Sequence, residues 1–313
     1  MSDAISNVIQ VHNLSKEFGE VKAVNSIEFF VKKGEIFGFL GPNGAGKTTT
    51  IRMMTGVLKP TSGSIEIYGK EVWKNQVMIK QILGNVPEEA NVYMDLTGNQ
   101  NLNFIGELYS IPRVIRKERA INLLKQFELY ERKDNLAKKY SKGMKQRLLL
   151  CMALMSEPRI LFLDEPTSGL DVQSSIIIKN LIKQYNKNGM TVFLTTHNMD
   201  VASEMCDRIA IINKGKIIRC DTPENMRRIE KEFQMINFYL SKEINSNAFA
   251  KIEGIKEISK IRDYYHAIVS DVDQAIAGII KIAREHDIKI TKFNTPEPSL
   301  EEVFINAINE GGK

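Results

Sequence analysis

The sequence predicts an α/β fold built around a phosphate-binding loop, with a smaller α+β domain behind it. Three observations carry this. The stretch Gly41-Pro42-Asn43-Gly44-Ala45-Gly46-Lys47-Thr48 follows an apolar run, Ile36 to Leu40, and opens a helix-compatible segment, Thr49 to Leu58. Strand, glycine loop, Lys-Thr and helix, in that order, make a polyphosphate cradle. A second apolar run, Ile160 to Leu163, ends in Asp164-Glu165. It reads as a buried parallel strand with carboxylates at its C-terminal edge, where open α/β sheets bind ligands. After Pro223 the pattern changes to β-α-β-β-α-β, the order of a small ferredoxin-like sandwich.

The 313 residues suffice for one large domain and a small one, and 43% apolar with 26% charged residues is ordinary for a soluble globular chain. A net charge of +5, with both signs interspersed, gives little support to a nucleic-acid or membrane-surface partner. Cys151, Cys206 and Cys220 have no metal-like spacing, so reduced thiols in a cytosolic compartment are expected, with Cys151 in the core. The start Met1-Ser2-Asp3-Ala4 has no secretory pattern. The longest apolar helix candidate, Leu148 to Met155, is far short of the ~18 residues of a membrane span. Any membrane role is expected to come through another chain.

The loop's chemistry follows from its residues. Gly41, Gly44 and Gly46 let backbone N–H groups turn inward around phosphates where a side chain would block them. The helix opening near Lys47 adds its positive end. Lys47 is expected on the β- and γ-phosphates and the Thr48 hydroxyl on Mg²⁺, with Thr49 also among the nucleotide-binding residues.

Taken in order, Val8 to Val11 and Val24 to Val31 read as strands, the second from its Ser26-Ile27-Glu28-Phe29 alternation. Phe18 lies between them, an aromatic at a strand end. Ile65 to Gly69 is a strand after a Pro60-Thr61-Ser62-Gly63 turn, and residues 71 to 82 read as a helix. From Thr97 to about Ala137 the spacing is helical with no strand between, an all-helical insertion. Ser141-Lys142-Gly143-Met144 leads into the next apolar helix. Asp164 is placed to hold Mg²⁺ opposite the glycine loop, and Glu165 to act as general base on water. Thr191 to Thr196 is a further apolar strand, ending at His197, which is placed to reach a terminal phosphate. His12, His266 and His286 read as structural or surface residues. Ile209 to Ile218 is a hairpin around Asn213-Lys214-Gly215.

In the last third, Met235–Leu240, Ile255–Ile261, Tyr264–Ser270 and Ile288–Phe293 read as strands. Ser246–Ile252 reads as a short helix and Asp271–Glu285 as a longer one. A final helix is expected from Pro298, with Ser299 as N-cap and Glu302 completing a capping box. The boundaries are thus 1–222, with a helical subdomain at about 89–145, and 223–313.

With both phosphate-site motifs, the interposed Ser-Lys-Gly-Met and the terminal histidine in this order, residues 8 to 222 resemble the nucleotide-binding subunit of ATP-binding cassette (ABC) transporters. Gly41–Thr48 matches Walker A, Ile160–Asp164 Walker B, Glu165 the catalytic glutamate and Tyr140–Met144 the signature. Ser168-Gly169-Leu170-Asp171 matches the D-loop, His197 the switch histidine and Phe18 the adenine-stacking aromatic. The resemblance implies a RecA-like P-loop NTPase core with an antiparallel β subdomain. It also implies a head-to-tail dimer binding Mg-ATP, in which Ser141 and Gly143 of one subunit cap the nucleotide on the other, with Asp171 of the D-loop as a further nucleotide-binding residue. Glu88 stands where the family has the Q-loop glutamine and is implied as a further Mg²⁺ contact. Lys142 and Met144 replace signature residues; Lys142 either adds a cation at the interface or points to solvent.

Pro298 to Phe304 resembles the C-terminal tail of ABC-2 type drug- and antibiotic-export ATPases, the daunorubicin-resistance-like subfamily. The implied protein is an ATPase at the cytoplasmic face of the membrane, paired with a second ATPase subunit and energising a separate permease. The C-terminal module reads as packing beside the core and aiding dimerisation, with a regulatory ligand site as the alternative. Tyr93, Met94 and Leu96 are the expected permease-docking patch. The alternative class is a soluble cassette protein acting on nucleic acid or ribosomes. A single P-loop, without a heptad run or basic tract, disfavours it, and no nucleic-acid partner is expected.

Overall fold

The computed structural model describes residues 7–89, 92–229, 234–295, 300–301 and 303–305. Two compact units divide the chain, Met1–Asp221 and Thr222–Lys313.

In the first unit, β1 (Asn7–Phe18) and β2 (Val21–Lys32) form a long antiparallel hairpin. It is longer than the apolar pattern implies. Irregularities in the register near Asn13, whose φ is 45°, break the alternation while the pairing continues. β3 (Ile36–Leu40) is buried throughout and feeds the glycine loop, which opens α1 (Lys47–Met54). β4 (Ser62–Ile67) and the two-residue β5 (Lys70–Glu71) complete a four-stranded sheet of order β2-β1-β4-β5. The helix expected over 71–82 is correspondingly shorter. α2 spans only Gln76–Gln81, because the backbone of Lys70 and Glu71 is engaged by β4.

β6 (Leu83–Val86) precedes the helical subdomain of α3 (Gly98–Leu108) and α4 (Arg113–Gln126), and α5 (Lys142–Leu154) leads out of it. α3 starts on a complete capping box: the Thr97 hydroxyl accepts from the Gln100 N–H at 3.1 Å, and the Gln100 carbonyl oxygen accepts from the Thr97 N–H at 2.8 Å. β7 (Ile160–Asp164), α6 (Val172–Lys187), β8 (Thr191–Thr196), α7 (Met199–Met205), β9 (Arg208–Asn213) and β10 (Lys216–Asp221) follow. They complete a six-stranded sheet of order β10-β9-β3-β8-β7-β6, parallel except where β10 returns along β9.

This order sets the site. Leu40 pairs with Thr196, Asp164 with Thr195 and Val86 with Leu163. The residues following β3, β8, β7 and β6 therefore emerge together along one edge of the sheet. An aromatic cluster fixes the two sheets to each other. Phe29 of β2 stacks on Phe37 of β3 at 5.5 Å, and Phe39, Phe162 and Phe193 close around them.

The second unit begins with α8 (Pro223–Ile229) and forms an antiparallel sheet from β11 (Gln234–Leu240), β12 (Ile255–Ile261), β13 (Tyr264–Val269) and β14 (Ile290–Asn294). The order β12-β13-β11-β14 is that of a ferredoxin-like sandwich. Ile279 and Ala283 of α9 (Val272–Glu285) lie on its buried face. The first helix of the pattern is reduced to a single 3₁₀ turn, Ser246–Ala248, which ends at the fully buried Phe249. Residues 300–301 and 303–305 are helical, with Leu300, Val303 and Phe304 buried. The expected Ser299–Glu302 capping box lies outside the described residues.

Candidate functional site

The glycine loop is shaped by close approaches at two of its positions. A Cβ on Gly41 would meet the Ile212 carbonyl oxygen at 2.4 Å, and one on Gly46, at φ 108°, would meet that of Ala23 at 2.5 Å. Gly44 is different: its φ is 80°, yet a Cβ there would meet nothing within 4 Å. The loop is therefore anchored on one side and open at its crest. No side chain caps α1, and no acidic residue stands in its first turn. Its leading N–H groups are thus left for an external anion, the requirement of a phosphate cradle.

Lys47 is only 6% exposed, and its ammonium donates to the Gly41 carbonyl at 2.8 Å and the Pro42 carbonyl at 3.3 Å. It also lies 3.4 Å from Oε1 of Glu165, which is equally buried. The same carboxylate oxygen accepts from Nδ1 of His197 at 2.9 Å. Glu165 sits in the left-handed region at φ 49°, a conformation a non-glycine residue keeps only when its surroundings hold it there. Its N–H is held by both the carbonyl and the hydroxyl oxygen of Thr195, at 3.2 Å each. Asp164, 3% exposed, accepts from the Thr195 hydroxyl at 2.5 Å. Lys47, Asp164, Glu165 and His197, read from three separate stretches of sequence, therefore meet at one sheet edge. Thr195 joins them and was not singled out from the sequence. The signal available was a hydroxyl residue inside an otherwise apolar buried strand, which must find a partner there.

Thr48 and Thr49 are half-buried in the first turn of α1. Among the described residues no group of three or more His, Cys, Asp or Glu side chains is able to hold a metal by itself. Mg²⁺ is commonly bound by one or two protein oxygens, with the rest supplied by phosphates and water. Glu88 is exposed just beyond β6 on the same edge.

A second cluster forms around the signature. Ser141 caps α5, its hydroxyl accepting from the Met144 N–H at 3.2 Å. Gly143 is obligatory, since a Cβ there would lie 2.2 Å from the Ser174 hydroxyl. Asp171 caps α6, accepting from the N–H of Ser174 at 2.8 Å and from its hydroxyl at 2.7 Å. These bonds, the N–H first, lower the Asp171 carboxyl from its ordinary value. Asp171 is thus engaged within its own chain. Lys142 is exposed, and its ammonium lies over Gly169 of the D-loop rather than projecting freely into solvent. Phe18 is half-exposed at the tip of the β1–β2 hairpin, with the Lys16 ammonium 5.1 Å above its ring. Cys151 is fully buried, and burial pushes its thiol well up, as expected of a core residue.

Fold and site together define a P-loop ATPase. The ABC transporter family model matches residues 24–168, and a model of the C-terminal domain of DrrA1-3-like ATP-binding proteins matches residues 225–308. The chain is 35% identical over 304 residues to the linearmycin resistance ATP-binding protein LnrL of Bacillus subtilis, covering 96% of this chain and 97% of that one. It is 33% identical to the bacitracin transport ATP-binding protein BcrA of Bacillus licheniformis, covering 98% and 99%. To the daunorubicin resistance ATP-binding protein DrrA3 of Streptomyces coeruleorubidus it is 31% identical, covering 95% of each. Among solved structures, an ATP-binding subunit of an ABC transporter superposes with a TM-score of 0.66 at 28% identity, over 72% of this chain and 93% of that one. The dimeric cassette MJ0796 bound to ADP and phosphate superposes with a TM-score of 0.63 at 27% identity, over 68% and 98%. The chain belongs to the ATP-binding proteins of ABC transporters, in the group carrying the DrrA-like C-terminal domain.

Proposed function

We propose that this chain is the ATPase subunit of an antibiotic- or drug-exporting ABC transporter, acting from the cytoplasmic face of the membrane on a separate permease. The observation that carries the reading is its end-to-end match to ATP-binding proteins of linearmycin and daunorubicin resistance and bacitracin transport. No helix among the described residues is long and apolar enough to cross a membrane, which suits a separate permease.

The Gly41–Thr48 backbone and Lys47 would hold the phosphates. Thr48 and Asp164, with Glu88 at the rim, would hold Mg²⁺, and Phe18 would pack on the base. The bound cation supplies charge neutralisation at the phosphates being parted. Glu165 orients water and takes its proton, while His197 keeps Glu165 aligned and faces the terminal phosphate. Ser141 and Gly143 of a second copy would complete each site. Glu88→Gln is expected to keep ATP turnover within tenfold of the parent, since an amide oxygen also ligates Mg²⁺; a larger loss in a phosphate-release assay would give the carboxylate a role of its own.

Permease docking is supported near the start of the helical subdomain. Tyr93 and Met94 are exposed, and the Tyr93 ring packs edge-on against Phe104 at 4.8 Å. The buried Asn101 side chain pins this loop, accepting from the Tyr93 N–H and donating to the Tyr93 and Thr97 carbonyls. Beside α3, a groove of about 280 Å³ is lined by Val57, Lys80, Ile105, Tyr109 and Met152, among others. It suits a short amphipathic segment of a partner. Tyr93→Asp with Met94→Asp is expected to abolish antibiotic export in cells while basal ATPase stays at the parental level; normal export counts against docking there. The whole reading is tested by affinity purification from membranes. A polytopic permease in stoichiometric amount is expected, and a soluble partner in its place overturns the reading.

A further inference from the structure

We propose that Thr195 is a positioning residue for the hydrolytic site, its one hydroxyl locking the Asp164 carboxylate and the Glu165 backbone into a single unit. The inference rests on the reading of Asp164 as a metal ligand and goes beyond it. A threonine hydroxyl has one proton to give and two lone pairs to receive. Here the proton goes to Oδ1 of Asp164 at 2.5 Å, and a lone pair takes the N–H of Glu165 at 3.2 Å. The Thr195 carbonyl shares that N–H. Two consecutive residues of one strand end are thus held by a single side chain of the neighbouring strand, in the pairing that sets Asp164 opposite Thr195.

Thr195 is completely buried, so this geometry does not compete with water. The bond to Oδ1 fixes the carboxylate rotamer with which Asp164 would meet a cation. The hold on the Glu165 N–H maintains the φ of 49° that carries its side chain back to Lys47 and His197. The adjacent Thr196 shows that a threonine here need not act this way. Its hydroxyl accepts from the Asn198 N–H and serves the turn into α7. A purely structural hydroxyl at position 195 would affect stability alone. A positioning one also controls how tightly the cation is held.

The experiment uses the full chain with ADP, titrated with Mn²⁺ and read by electron paramagnetic resonance. Thr195→Val removes the hydroxyl at nearly constant shape in a strand that favours β-branched residues. It is expected to weaken Mn²⁺ binding by about 10- to 100-fold, the usual effect of losing a hydrogen bond to a metal-ligating group. ADP affinity without metal should be unchanged, and kcat should fall with little change in KM for ATP. Thr195→Ser should restore metal affinity to near the parental level. Should the valine variant fail to fold, Thr195→Ala reports on the same hydroxyl. Parental Mn²⁺ affinity in a folded Thr195→Val or Thr195→Ala chain, with that affinity lost in Asp164→Asn, overturns the proposal alone. Parental affinity in Asp164→Asn overturns the reading of Asp164, and the proposal with it.

Discussion

Glu165→Gln is expected to lower ATP turnover by about 10²- to 10⁴-fold, the range supplied by a positioned general base, while ADP binds at least as tightly as to the parent chain. The two halves of this expectation have one cause. The Glu165 carboxylate sits 3.4 Å from the Lys47 ammonium, both groups being largely buried. Among the described residues no other carboxylate is paired with that ammonium, so Glu165 stands in for a phosphate. An amide has nearly the same shape and still offers an oxygen to His197, but it carries no charge to hold Lys47. The variant therefore loses the base and releases the lysine toward the nucleotide. Lys47 keeps its two carbonyl acceptors, which spares the chain the full cost of a buried unpaired charge. Phosphate release and ADP calorimetry check the two halves independently. Unchanged turnover removes Glu165 from the reaction, and weakened ADP binding refutes the stand-in argument.

The strands bearing the site were legible because each is a short apolar run bounded by residues that break it. Ile36–Leu40 runs into glycine, Ile160–Leu163 into two acids and Thr191–Thr196 into a histidine. Burial on both faces of a parallel sheet requires such runs, and their C-terminal edge is where a ligand must sit. What stayed hidden depends on contacts between segments distant in sequence. Thr195 acts on Asp164 and Glu165 across a strand pairing about 30 positions away. Gly143 is required by Ser174, which no local pattern connects to it. The shortened α2 has the same origin, since β5 exists only because β4 lies beside it. Asp171 is instructive in the other direction. The resemblance makes it a nucleotide-binding position of the D-loop, and locally it is the N-cap of α6, with Ser174 at the position whose N–H a cap receives. Capping uses one acceptor site on each carboxylate oxygen, so the side chain keeps lone pairs for a further donor across a dimer.

Lys47→Ala is expected to weaken ADP and ATP binding by about 10- to 150-fold, the equivalent of the ~1.5–3 kcal/mol of a hydrogen bond to a charged group. Lys47→Arg should rescue little of this. The ammonium sits in a pocket sized by the Gly41 and Pro42 carbonyls, at 2.8 and 3.3 Å, under a loop that tolerates no Cβ at Gly41 or Gly46. A compact, rotatable point charge fits there, whereas the rigid planar fork of a guanidinium has to displace the loop or leave donors unsatisfied. The ligand-free fold should respond differently from the nucleotide affinity. Removing Lys47 strips Glu165 of its lysine but leaves it His197, so Lys47→Ala and Glu165→Gln should destabilise less together than the sum of their separate effects. Denaturant midpoints of the two single variants and the double variant measure that coupling. Strict additivity would dissolve the Lys47–Glu165 pair as an energetic unit, and an arginine variant with parental ADP affinity would show that charge alone, not the compact ammonium, is what the loop selects.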